Sequence, residues 1–194
     1  DQDVLNRVSG KPQHPEGLFF PDTYFFSQGM SDLVILKRAY KNMQARLNEA
    51  WQARASALPY KTPYEALIMA SIVEKESAKA SERPIIAAVF LNRLRQGMKL
   101  QTDPTVIYGL GVSFDGNLRK RDLLSDAPYN TYTREGLPPT PIAMPGWGAI
   151  HASLHPAKTD ALYFVSKGDG SHVFSATLEE HNRAVAKYQK IVRQ

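Results

Sequence analysis

The chain contains no cysteine, so it is neither a disulfide framework nor a thiolate metal site. The same absence fits a reducing or an oxidising compartment and does not choose between them. No apolar run approaches the roughly 18 residues that a membrane-spanning helix needs. There is no Gly-rich phosphate loop and no nucleophile elbow, and no internal repeat or low-complexity tract. His14, His151, His155, His172 and His181 have no metal-ligand spacing on a helix. They read as structural or surface groups, so no metal and no cofactor is expected. No signal peptide is read either, and the abrupt opening DQDVLNRVSGKP is what an excised domain is expected to show.

Charge of one sign is only slightly in excess. Twenty-four basic residues stand against 19 acidic ones, a net of +5, and they are dispersed. No basic run alternates with aromatics as a strand-binding groove requires, so nucleic acid is not an expected partner. A mildly acidic polymer stays compatible. What is present is apolar substance: 43% of 194 residues are hydrophobic, enough for one domain with a core and a small appendage.

The stretch Thr62 to Lys79, TPYEALIMASIVEKESAK, organises the rest. Thr62 caps a helix, Pro63 suits its first position and Glu65 is placed for a capping box. The middle is apolar on nearly every side, which marks a buried helix. Its last turn nevertheless carries Glu74 and Glu76. At about 100° per residue, Glu76 falls among Met69, Ile72 and Val73, and Glu74 nearer Leu67, Ala70 and Ala78. Two readings stand. Either both acids pair with Lys75, Lys79 or Arg83 at a helix end, or a poorly solvated carboxyl keeps its proton and serves as a general acid.

Taken in order, residues 1–16 are polar and broken by Pro12 and Pro15. Phe19, Phe20, Tyr24, Phe25 and Phe26 then crowd an extended or turning segment. It reads either as a strap over the core or as a cleft wall that stacks on sugar rings. A long helix runs from Ser31 to near Ser56 on the stripe Leu33, Leu36, Tyr40, Met43, Leu47, Trp51. Another, capped by Ser81, runs to about Gln96 and stops at Gly97, which makes a helix hairpin with the Glu74/Glu76 turn at its bend. Asp103-Pro104 caps a short helix, and Gln101, Thr102, Asp103, Thr105 and Tyr108 cluster beyond what capping explains. Residues 136–146 form a proline-stiffened loop, and residues 147–154 a short helix. Residues 162–165 and 172–175 pair through the turn Lys167 to Gly170. A last helix covers Leu178 to Arg193. The fold class is α+β, mainly α, with a small antiparallel sheet. Residues 1–30 are expected to be an N-terminal extended segment packing on a domain over 31–194.

Eight stretches in sequence resemble one family: EGLFFPDTYFF at 16–26, ASIVEKES at 70–77, VFLNRL at 89–94, LQTDPTVIYG at 100–109, YNTY at 129–132, GLPPTPIAMPG at 136–146, HPAKT at 155–159 and LYFV at 162–165. Singly most are weak; in this order they are specific. Together they are similar to the endolytic murein transglycosylases of the YceG-like family (MltG). The resemblance implies a lysozyme-like catalytic helix hairpin. It also implies a lyase that cuts peptidoglycan glycan strands between MurNAc and GlcNAc and leaves 1,6-anhydroMurNAc ends. It implies the bacterial envelope, on the periplasmic side of the inner membrane, and cell-wall synthesis proteins as partners. Family members carry an N-terminal membrane anchor and a LysM-like region that are not read in this chain. The family's catalytic acid maps to Glu76 and its neighbour to Ser77.

On this basis Glu76 is expected to act as acid and then base. Ser77, Gln101, Asp103, Thr105, Tyr108, Asn130 and Tyr132 are expected to hold the sugars or stabilise the transition state. One acid suffices for such a lyase, because the muramyl 6-hydroxyl replaces water. A lysozyme-like hydrolase would need a second carboxylate, for which Asp103 is available. A non-catalytic glycan-binding module remains the third reading.

Overall fold

The computed structural model describes residues 2–11, 13–76 and 79–188. Its centre is helix α3 (Pro63–Glu76), buried without interruption from Ala66 to Val73. Three helices complete the core around it: α2 (Asp32–Gln52), α4 (Arg83–Arg95) and α7 (Trp147–Leu154). α7 packs against all three. Met43, Met69, Ile72, Ile86, Phe90 and Ile150 meet there with almost no exposure. A helix apolar all round requires such a surround, since no face of it can meet water without losing burial energy.

The start of α3 is locally encoded. Thr62 Oγ1 accepts from Glu65 N–H at 3.3 Å, and Glu65 Oε2 accepts from Lys61 N–H at 2.6 Å, one residue before the cap. The loop 136–146 is tied to α3 by Ser71, whose Oγ donates to Ile68 O at 2.7 Å and accepts from Ile142 N–H at 2.9 Å. The segment 16–26 lies over the same region. Gly17 adopts φ +78°, and a Cβ there would sit 2.7 Å from Pro141 Cγ, so glycine alone allows this approach. Leu18 and Phe20 are buried, as a strap over the core requires.

Further along come α5 (Asp103–Leu110), α6 (Lys120–Leu124) and the hairpin of β1 (Tyr163–Ser166) and β2 (His172–Ser175). The strands are antiparallel, with Tyr163 opposite Ser175 and Ser166 opposite His172. α8 (Leu178–Tyr188) packs on both strands. The molecule is thus mainly helical with a small antiparallel sheet, as the sequence implied.

Four local expectations are corrected. Residues 1–30 are not extended throughout: α1 (Gln2–Ser9) is a helix whose Val8 is buried and which packs on α2. Ser81 does not cap α4; it lies inside a 3-10 turn, Ala80–Glu82, that leads into the helix. Asp103 is the first residue of α5 rather than its cap, a position held by Thr102. α2 ends at Gln52, short of Ser56, because Ala55 N–H turns away to Leu154 O at 3.0 Å. The far end expected for the last helix, Arg193, lies outside the described residues.

Candidate active site

The last turn of α3 sends its two acids to different places. Glu74 Oε1 accepts from Arg83 Nη2 at 2.8 Å, and its Oε2 accepts from Gly146 N–H at 2.9 Å. It clamps the start of α4 and the start of α7 to the end of α3. Pairing with Arg83 is therefore the correct reading for Glu74. Glu76 makes no ion pair among the described residues. It lines a groove of about 500 Å³ walled by the 100–103 segment, the hairpin and α8, and its Oε1 accepts from Thr102 Oγ1. Burial pushes the Glu76 carboxyl above the usual carboxylate range and Asp103 adds to this; the Thr102 hydrogen bond and His172 act against it.

Thr102 is held from behind. Its N–H donates to Thr131 Oγ1 at 3.1 Å, and its carbonyl accepts from Thr105 Oγ1 at 2.8 Å. The Thr105 and Thr131 hydroxyls are themselves 2.9 Å apart. Beside Thr102, Asp103 Oδ1 accepts from Tyr132 OH at 2.5 Å. Burial and the Asp103 carboxylate keep the Tyr132 phenol protonated well above its ordinary range. Gln101 takes φ +52°, sparsely allowed for a residue other than glycine and common at functional sites. Its Oε1 accepts from Arg93 Nη1 at 3.2 Å.

Of the residues expected from sequence, Glu76, Gln101, Asp103 and Tyr132 share this groove. Three others do not line it. Thr105 is fully buried beneath Thr102. Asn130 is 2% exposed and donates to the carbonyls of Asp122, Leu123 and Ser125, while its Oδ1 accepts from Tyr132 N–H at 2.9 Å. Tyr108 faces the 13–17 segment, with its OH 3.3 Å from His14 Nε2 and its ring against Tyr129. Burial, followed by Glu16, pushes its phenol up to about 12. Their polarity serves the scaffold: buried hydrogen-bonding groups need partners, and these have them inside the protein. Ser77 lies outside the described residues. The aromatic segment 16–26 is not a wall of this groove either, and its Phe25 and Phe26 point to solvent, 85% and 68% exposed.

Other residues of the groove were not singled out from sequence. Thr102, one of the polar 101–108 cluster, is buried behind the lining and acts on the groove through its hydroxyl on Glu76. Arg93, buried in α4, donates to the carbonyls of Leu162, Lys99 and Leu100 and so joins the hairpin to the site. Tyr163 and His181 stack 5.2 Å apart between ring centroids. The stretches VFLNRL and LYFV contain Arg93 and Tyr163, so the signal was present as motif without a role attached.

The molecule is therefore a mainly helical domain that presents the Glu76 carboxyl, without an ion pair among the described residues, from the end of a buried helix to a groove that also holds Asp103. The chain belongs to the YceG-like family, which matches residues 2–187. It is 42% identical over 192 residues to an endolytic murein transglycosylase of Bacillus subtilis (strain 168), covering 95% of this chain and 51% of that protein. It is 33% identical over 194 residues to an endolytic murein transglycosylase of Streptococcus pneumoniae serotype 2, covering 93% of this chain and 33% of that protein. The chain thus spans about half and about a third of the length of these relatives. A crystal structure of a putative YceG-like protein from Listeria monocytogenes superposes with a TM-score of 0.74 at 38% identity, covering 94% of this chain and 58% of that one.

Proposed function

We propose that this domain is a lytic transglycosylase of peptidoglycan, working in the bacterial cell envelope with Glu76 as acid and then base. The observation that carries the reading is Glu76 itself: a carboxyl in the groove lining, met by the Thr102 hydroxyl, whose affinity for its proton burial raises. In the first step Glu76 gives its proton to the glycosidic oxygen between MurNAc and GlcNAc, and the C1–O bond breaks. Positive charge then develops at C1 and its ring oxygen. In the second step the Glu76 carboxylate takes the proton of the muramyl 6-hydroxyl, and that oxygen bonds to C1. Atoms balance without water, and the acid is restored. The names of the relatives in Bacillus subtilis and Streptococcus pneumoniae support the same reaction.

Gln101, Asp103 and Tyr132 are placed to hold the sugars flanking the bond, together with Ser77 by sequence position. Thr102 orients the acid. Thr105 and Asn130 act one layer behind, on Thr102 and Tyr132. Asp103 keeps a second reading open, since a carboxylate in the same groove is what a hydrolase needs to activate water.

One digest separates these readings. Wild-type protein on purified glycan strands is expected to release ends lacking the mass of one water, and Glu76→Gln is expected to lose at least about a hundredfold in rate. Ends carrying the full mass of water would establish the hydrolase. Sacculus binding with no new ends from the wild type would leave only a binding module.

A further inference from the structure

Glu82, in the 3-10 turn between α3 and α4, is a mostly buried acid that the reaction above does not use. Its Oε2 accepts from His172 Nδ1 at 2.7 Å, and its Oε1 accepts from the His172 backbone N–H at 3.2 Å. The two side chains are 12% and 13% exposed. This double grip fixes the turn of the ring and makes Nδ1 the donor, which leaves Nε2 as the ring's remaining polar atom. Phe164 meets the ring edge-on, with centroids 5.4 Å apart. The imidazole lines the same groove as Glu76.

We propose that Glu82 and His172 form a second working part of this site: Glu82 positions the ring, and His172 counters the negative charge that appears on Glu76 once its proton has gone to the leaving sugar. The inference rests on the transglycosylase reading, in which Glu76 must persist as a carboxylate until the 6-hydroxyl returns a proton. No proton passes through His172, so the balance of that reaction is unchanged. Both are positioning residues.

The charges around His172 favour this role. Glu76 reaches the groove from α3, Arg93 from α4, Asp103 from α5, Tyr163 from β1 and His181 from α8. Lys79 acts on Glu82 from the bend. Asp103, bound by Tyr132, opposes ionisation of Glu76, whereas His172 favours it. Arg93 is committed to carbonyls of Lys99, Leu100 and Leu162. As the imidazolium of its pair with the Glu82 carboxylate, His172 sets a cation beside the transient Glu76 carboxylate, which lowers the energy of that state more than it would in water.

The test is the pH–rate profile on purified soluble glycan strands for wild type, His172→Asn, Glu82→Gln and Glu76→Gln. Asn at 172 can still donate to Glu82 while removing the imidazole and its charge. We expect kcat to fall about tenfold or more, with the high-pH limb moving to higher pH because Glu76 holds its proton more tightly. Glu82→Gln should move the same limb the same way, and it reads out the effect even if His172→Asn does not fold. Folded variants with an unmoved limb, whatever their rate, would overturn the inference while leaving Glu76 intact. An active Glu76→Gln would instead overturn the transglycosylase reading itself.

Discussion

Glu76 takes its character from burial first and from three neighbours second. Burial and Asp103 favour the protonated form, and Thr102 and His172 favour the carboxylate. A carboxyl whose folded-state proton affinity is raised adds stability below its unfolded pKa, about 4.3 for glutamate. That contribution is lost as pH rises through the higher folded value. Glu76→Gln removes the titration and keeps a side chain that Thr102 can still meet. The variant is therefore expected to melt above wild type near pH 8, with the difference shrinking toward pH 4, as followed by thermal unfolding across that range. An equal difference at every pH would contradict the assignment. The two acids of the E-K-E turn were visible in the sequence and the family resemblance pointed to Glu76, but the physical reason for their difference was not visible. Glu74 differs from Glu76 because Arg83 and Gly146 fold back onto it, and the Thr102 that meets Glu76 lies 26 residues away.

Among elements, the clearest in the sequence were those punctuated by proline and glycine. The expected range 147–154 matches α7, and the Gly-Asp-Gly hairpin forms where its turn chemistry places it. Asp169 Oδ1 there accepts from Ser171 N–H at 2.9 Å. α1 was missed although Val4, Leu5 and Val8 share one face, because a helix this short holds only by docking on α2 and the stretch reads as polar before Pro12 and Pro15. Glu74 shows how elements are locked together, since its carboxylate receives one hydrogen bond from α4 and one from the residue that starts α7. Glu74→Ala is expected to cost about 1–3 kcal/mol of stability in denaturant unfolding. It should reduce activity less than Glu76→Gln does, because it loosens the end of α3 without removing the acid. A loss of activity as complete as that of Glu76→Gln, in a variant as stable as wild type, would contradict this division.

For the whole molecule, the groove is a product of assembly. Glu76 ends α3, Gln101 and Asp103 follow α4, His172 comes from the hairpin and His181 from α8. A polar cluster in one stretch of sequence was legible as a candidate site. Which of its members face a groove was not, because that depends on contacts such as Asn130 with the 122–125 carbonyls and Thr105 with Thr131. The same assembly explains why polar residues of one motif divide between those that line the groove and those that brace the first group. The net charge of +5 is compatible with an anionic polymer at long range.

The most direct measurement is an NMR titration of the glutamate side-chain carboxyls, with Glu76 assigned by its absence from Glu76→Gln. The account predicts a midpoint for Glu76 clearly above that of the solvent-exposed glutamates in the same spectra. A midpoint at or below theirs would mean that the groove does not hold a proton at this position, and the acid role would have to be abandoned.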